Sequence, residues 1–539
     1  IPTTITWTGK GTGTGGGGLV KAWDDPANWD LNTTPGEGDT VIISQNSQTY
    51  ITISAPPPHL KKLSVSGAVE LRLSGWETKI DAETVEFNGA TVVRPVAGTQ
   101  AGAADTNRVW IVCRDFTLGA KATINADSRG FYNSGPGTPM DSATGNDGSS
   151  HGGRGGAGDV TRGLICGSTK FGTIGRLADP RKASSAENDS LTAPVLPGSG
   201  GFVPLSTGVT LAGGGAVRIE ATGRVTVNGL ISADGDNAWN TGRGGSAGGS
   251  VYISCATVDG SGFIRARGGI PNTGSTVSGG GGGGRVSVVW SDSATQATLS
   301  PILDFDLGGR RGVSRTDRRR QVGEPGTLYL KDASFYPRAV CSGGGRLSFA
   351  TPQQLDFTDL TITNSALEVV DGSTLTVSGN LTLQEGGELI VRRPLAVGGN
   401  VVLDGKVTGK SAVLTSLELW NGASLTVGGS MTLSDSAELQ AQCGVTNAPN
   451  AWGMDISVAG DFTLGTGCCF FPESQPFDLA SGPARLVARN ITIAAGATVD
   501  GVGAGWQIGD VLKFDDGRKL AVKSVSLPVG GAYEMEARE

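Results

Sequence analysis

One line recurs through the C-terminal half of the sequence. It reads LTVSGNLTL at 375–383, LAVGGNVVL at 395–403, LTVGGSMTL at 425–433 and ISVAGDFTL at 456–464, with a weaker copy, LVARNITI, at 486–493. The closing aliphatic residues Leu383, Leu403, Leu433, Leu464 and Ile493 are 20, 30, 31 and 29 residues apart. Self-similarity at this spacing means units that bury their apolar faces by stacking on one another. Within each copy apolar and polar residues alternate, the mark of a strand with one buried face. A Gly-Asn, Gly-Ser or Gly-Asp corner interrupts the alternation with residues that accept left-handed backbone angles. Strand, corner, strand at this pitch fits an all-β chain wound as a parallel β-helix.

The middle of the chain carries a second form of the repeat. GGGAVRIEATGRVTVNGLISADG at 213–235 aligns with GGSVYISCATVDGSGFIRARGG at 248–269. Ile219 matches Ile253, Leu230 matches Phe263, and Val251 and Ile253 match Val286 and Val288 in turn. The six glycines Gly279–Gly284 therefore hold a fixed place in a repeat, as GGG at 213–215 and AGGS at 247–250 do. A linker would break the period. These runs keep it, so they are expected to be ordered loops lying close against neighbouring Gly-rich loops. RDFTLG at 114–119 matches GDFTLG at 460–465, which extends one architecture over both halves. Asp115, Asn380, Asn400, Asp461 and Asn490 fall at the equivalent corner. They read either as a hydrogen-bonded ladder or as ordinary corner residues.

Composition narrows the partners. Glycine is 88 of 539 residues and charged residues are 17%, against ordinary shares of about 7% and 25%. The net charge of −7 comes without a basic block, which argues against nucleic acid, and no apolar run is long enough to span a membrane. The seven cysteines are scattered, without zinc-ligand spacing. Buried thiols and a few disulfides are both open readings. The sequence begins at Ile1, which is expected of the mature form of an exported protein.

Residues 1–50 form an opening or cap segment, 51–340 a β-helix with long Gly-rich loops, 341–500 compact repeats, and 501–539 a C-terminal β cap. In the opening segment Trp7-Thr8-Gly9, Trp23, Asn28-Trp29, Pro35 and Gly38-Asp39 before TVIIS resemble the start of many secreted bacterial β-solenoid surface proteins with autotransporter-like repeats. SHGGRGGAG and GGGGGGRVSV resemble the Gly-rich repeats of large extracellular β-helix proteins. The resemblance implies a right-handed parallel β-helix (β-solenoid) of pectin-lyase-like shape, with Gly-rich inserted loops and terminal caps, and a secreted or cell-surface location. It implies no activity.

Two classes of function follow. The first is a structural or adhesive surface protein, self-associating or holding an extracellular glycan. The second is a polysaccharide lyase or glycoside hydrolase. A lyase needs a base and a neutraliser for a uronate carboxylate, and His151, Arg154 and Asp147 share one Gly-rich loop. A hydrolase needs two carboxylates; Asp234 and Asp236 stand beside Trp239, which would stack on a sugar. A polar loop and an ordinary turn have the same compositions. A noncatalytic glycan-binding protein is the third reading. No cofactor is required by these motifs; DGDN at 234–237 resembles a Ca2+ loop but lacks its twelfth-position Glu.

Overall fold

The computed structural model describes residues 2–14, 19–97, 107–138, 148–153, 155, 189–201, 210–238, 244–271, 278–309, 323–334, 340–341, 345–363, 366–369, 372–406, 415–444, 452–473, 484–499, 511–513, 519–526 and 534–538. Among the described residues the chain is nearly all β, helix being confined to Pro26–Asn28 and Ser293–Gln296. None of these helices is long and apolar enough to cross a membrane. The described residues fall into two compact units, one running to Ser334 and one beginning at Val340.

In the second unit each repeat contributes three strands. The first set is Gln354–Phe357, Thr374–Val377, Leu395–Val397, Leu425–Val427 and the first half of Met454–Leu464, each parallel to the next. The second set is Leu360–Thr363, Leu381–Gln384, Val401–Asp404, Met431–Ser434 and the second half of Met454–Leu464. The third is Ala366–Val369, Glu388–Val391, Ser416–Leu419, Glu438–Gln442 and Cys469–Glu473. Pairing follows the sequence alignment residue for residue: Leu383 beside Leu403, Leu403 beside Leu433, Leu433 beside Leu464, Leu464 beside Ile493. In-register stacking sets like on like, and a slip of one residue would turn each buried face outward. Leu381, Leu383, Val401, Leu403, Met431 and Leu433 are accordingly fully buried.

The first unit is built the same way on longer strands. Val109–Leu118 has Ile80–Phe87 on one side and Ala216–Ala221 with Arg224–Val227 on the other, all parallel. Ser250–Cys255, Arg285–Trp290 and Thr327–Leu330 follow in order. Ile219 lies beside Ile253, Leu230 beside Phe263, Val251 beside Val286 and Ile253 beside Val288.

The opening segment lays two short strands, Thr4–Thr6 and Val20–Ala22, along Thr40–Ile53. Trp29 meets both Trp7 and Trp23 edge-on at 4.9 Å between ring centroids, and its Nε1 donates to Trp23 O at 2.9 Å. This covers the free edge of the first long strand, the part of a β stack most prone to unwanted pairing. Val511–Lys513, Lys519–Ser526 and Glu534–Arg538 form an antiparallel sheet of their own. Among the described strands, Ala484–Ile493 pairs with Met454–Leu464 alone. Ile493 is 44% exposed there, whereas its neighbour Leu464 is fully buried.

Candidate functional site

The glycine runs make a backbone lattice. Gly279–Gly284 are buried and described throughout. Gly282 N donates to Ser149 O, Gly283 N to Glu324 O and Gly284 N to Ala266 O, at 2.9, 2.9 and 2.7 Å. Gly213, Gly214 and Gly215 donate to Phe131, Ala247 and Ala126 in the same fashion, and Gly248, Gly249 and Ser250 to Gly282, Ala233 and Gly215. A pleated strand sends its amides in two opposite directions. Three successive amides bonding three different segments is the pattern of an extended helix with three residues per turn. At the tightest positions only glycine fits: a Cβ at Gly283 would land on Leu307 O, and one at Gly249 on Gly215 O.

His151 is inside this lattice. It is 1% exposed, and its Nε2 is 2.8 Å from Ser250 Oγ, which donates to Leu196 O at 2.6 Å. The imidazole must then donate to Ser250, because the hydroxyl proton is already used. Burial, and after it the Arg285 charge, push His151 down to about 3. A neutral donor sealed from solvent binds two loops together and has no access to a sugar. Asp147, Arg154 and Trp239 lie outside the described residues.

Asp234 and Asp236 leave one turn into different company. Strands Thr123–Asn125, Leu230–Ser232, Phe263–Arg265 and Asp304–Asp306 stack so that Ile124, Ile231, Ile264 and Phe305 point inward, and Asn125, Ser232, Arg265 and Asp306 form the next row. Beyond that row Asp127 accepts from Ser232 Oγ and from Asp234 N. Asp234 accepts from Arg267 N and Nη2 at 2.9 and 2.8 Å and pairs at 3.0 Å with Arg265, whose Nε donates to Ser232 Oγ. Arg267 continues to Asp306 at 3.6 Å. Asp234 is thus a rung in a charge ladder crossing four repeats. The Asp236 carboxyl is raised by burial, opposed by hydrogen bonds from Asn237 N, Ala212 N and Ser128. Among the described residues no group of three His, Cys, Asp or Glu is gathered to hold a metal.

The corner residues are joined by side chain to backbone. Asp359 Oδ1 accepts from Asn380 N, Asn380 Oδ1 from Asn400 N, Asn400 Oδ1 from Ser430 N and Ser430 Oγ from Asp461 N, at 2.7–3.1 Å. Asp461 Oδ1 then takes Asn490 Nδ2 at 2.8 Å. In the first unit Asp115 Oδ1 takes Arg224 N at 3.0 Å. None of these residues, nor Gly379, Gly399, Gly429 or Gly460 beside them, has a positive φ. The left-handed tolerance expected from sequence is therefore not the reason for the Gly-Asn corner. The glycine makes room: a Cβ at Gly379, Gly399, Gly429 or Gly460 would meet the ladder oxygen of the preceding repeat.

A further cluster carries no motif in the sequence. The Arg108 guanidinium lies 4.6 Å from the Trp76 ring centroid and 4.2 Å from that of Trp110. Trp110 Nε1 donates to Glu220 at 2.7 Å, Glu220 takes Arg218, and Arg218 stacks on Tyr252 at 4.8 Å. Register assembles this group: Trp110, Arg218 and Tyr252 are direct neighbours across three strands that are 34 or more residues apart in sequence. The strand alternation marks each as outward-facing, but only the alignment of repeats signals that they meet.

No protein-family model, curated protein or solved structure matches the chain.

Proposed function

We propose that the chain is an extracellular structural or adhesive protein of a bacterial surface, each unit closing its stacked parallel repeats into a right-handed β-solenoid. The observation that carries the reading is where the polar chemistry goes. His151 and Asp234, the groups a lyase or hydrolase would turn toward a sugar, are engaged in joining one repeat to the next. The glycine lattice and the corner ladder do the same with backbone groups. Among the described strands Ala484–Ile493 is paired on one side only, which supports self-association, since such a strand with apolar side chains is a template for another chain.

A second reading, glycan binding without cleavage, is favoured by the partly exposed Trp76 and Trp110, which flank the buried Arg108. Electron microscopy of the purified protein at several concentrations tests the first. Regular filaments or sheets that lengthen with concentration support it. Isolated particles at every concentration, with cleavage of a polysaccharide that Asp234→Asn or Asp236→Asn abolishes, would replace it with the hydrolytic reading.

A further inference from the structure

Two rows of outward side chains cross the strands of the first unit. Ile80 pairs with Ile111, which brings Lys79 beside Trp110, and Arg218 and Tyr252 follow Trp110 in register. Two residues further along the same strands stand Asp81, Val112, Glu220 and Ser254. Between the rows Ile80, Ile111, Ile219 and Ile253 are buried, so alternation turns both rows away from the core. All eight residues are partly exposed. Lys79, Asp81, Arg218 and Glu220 keep 34, 22, 23 and 33% of their side-chain surface, so the face is open to a ligand. The first row closes at Ser287, the residue beside Tyr252 on the next strand. Ser287 is fully buried and donates to Thr192 O at 2.6 Å, so the chain at Thr192 lies over it.

The charges on this face are matched. Lys79 pairs with Asp81 at 2.8 Å, Arg218 with Glu220 at 2.8 Å and Arg108 with Glu77 at 3.6 Å. His59 Nδ1 adds a contact to Asp81 at 2.6 Å. The same cations hold the rings. Arg108 lies 4.6 Å from the Trp76 centroid and 4.2 Å from that of Trp110, Lys79 5.7 Å from Trp110, and Arg218 4.8 Å from Tyr252. Trp110 is also tied by its Nε1, which donates to Glu220 at 2.7 Å. Rings already fixed in place need little further ordering when a ligand binds.

We infer that this face binds an uncharged polysaccharide lying across the strands. The inference rests on the glycan-binding reading above and names its ligand. A sugar ring offers C–H groups on its faces and hydroxyls at its rim. Aromatic rings present a negative face to such C–H groups. Ion-paired carboxylates keep lone pairs that accept from hydroxyls, and the Lys79 ammonium keeps protons to donate. Aromatic surface with a few fixed polar groups is what gives a ligand site both contact and orientation. An acidic chain fits less well, because each cation of the two rows already has its carboxylate. Length favours a polymer over a single sugar: Lys79 to Tyr252 covers three strand spacings, about 14 Å. A protein partner would look for apolar anchors at the centre of the face, and none of the exposed large hydrophobic residues among the described residues stands in either row.

The test is native electrophoresis of the full chain through gels carrying hydroxyethylcellulose, β-1,3-glucan, xylan, galactomannan, polygalacturonate or alginate, compared with gels holding no polymer. At least one neutral polymer is expected to retard the wild type, and the two acidic polymers to leave its mobility unchanged. Trp76→Ala and Tyr252→Ala, which act in different repeats, should each weaken the apparent dissociation constant about tenfold. Trp76→Leu and Tyr252→Leu keep apolar bulk and lose the ring face, so they should weaken it likewise with unfolding midpoints near that of the wild type. Trp452→Ala, which removes an exposed ring of the second unit, should change nothing. Retardation by the acidic polymers in place of the neutral ones would overturn the uncharged ligand and keep the glycan-binding reading. Retardation by a neutral polymer that survives all four substitutions at Trp76 and Tyr252 would overturn this site. No retardation by any polymer would overturn the glycan-binding reading, and this inference with it.

Discussion

Gly399 and Asn400 do separate work in one corner. Asn400 supplies the oxygen that the Ser430 amide bonds at 2.9 Å in the next repeat. Gly399 leaves the space occupied by the Asn380 oxygen of the repeat before. Asn400→Ala removes one exposed hydrogen bond and is expected to cost about 1 kcal/mol. Gly399→Ala forces a Cβ against backbone and a committed side chain and should cost more, on the order of 1–3 kcal/mol. Urea unfolding of the two variants under one condition checks the order; equal losses would mean that the corner glycine is a filler. His151 gives a pH test. Its folded-state value of about 3 lies below the ordinary 6.5, so the unfolded chain binds a proton across that interval and the folded chain does not. Stability is full above about pH 6.5 and falls on acidification by up to about 1.4 kcal/mol per pH unit. Asp189 and Asp236, both raised by burial, act in the opposite sense, so the informative quantity is the difference between His151→Gln and wild type. That variant should show a shallower loss between pH 7 and 4.5 in denaturant midpoints.

At the scale of elements, the segment Gly279–Arg285 behaves as a structural member. The five amides from Gly281 to Arg285 bond in turn to the Gly269, Ser149, Glu324, Ala266 and Gly249 carbonyls. Each buried amide left without a partner would cost about 1–3 kcal/mol. Gly283→Ala is expected to lower the unfolding midpoint sharply and to speed hydrogen exchange at Gly248 and Ser149 as well as locally, since neither is near in sequence. A substitution at the half-exposed Ser254 on the neighbouring strand should stay within about 0.5 kcal/mol. The presence and phase of this element were legible because it kept the 33–35-residue spacing of the repeats around it. Its threefold bonding was not: a run of identical glycines carries no side-chain period from which direction can be read. His151 was misleading for a related reason. The polar loop SSHGGRGG has the composition of an exposed site, and only the surrounding loops bury it.

At the scale of the molecule, the thiols and the terminal strand give two tests. Cys113, Cys255 and Cys468 are free thiols. Burial pushes the Cys113 and Cys255 thiols up to about 12, so almost no thiolate, the reactive form, exists at neutral pH. Alkylation at pH 8 followed by peptide mass analysis should leave these two unmodified in the native protein and label them after denaturation; native labelling would refute their burial. If chains associate through the edge at Ala484–Ile493, Ile493→Lys should abolish concentration-dependent assembly while changing stability by less than about 1 kcal/mol, because that side chain is already 44% exposed.

The sequence by itself determined which residues stack. Period-2 alternation chose the buried face, the repeat spacing chose the partner, and Leu383 through Ile493 pair as their alignment requires. Those are properties of residues a fixed distance apart along the chain. Tertiary structure alone decided which polar groups are available for chemistry. Whether Asp234 meets a sugar or two arginines and whether His151 sees water depend on side chains brought together from repeats far apart in sequence. Burial and charge act through space, and a repeat pattern fixes neighbours across a sheet without fixing what each outward side chain finds there.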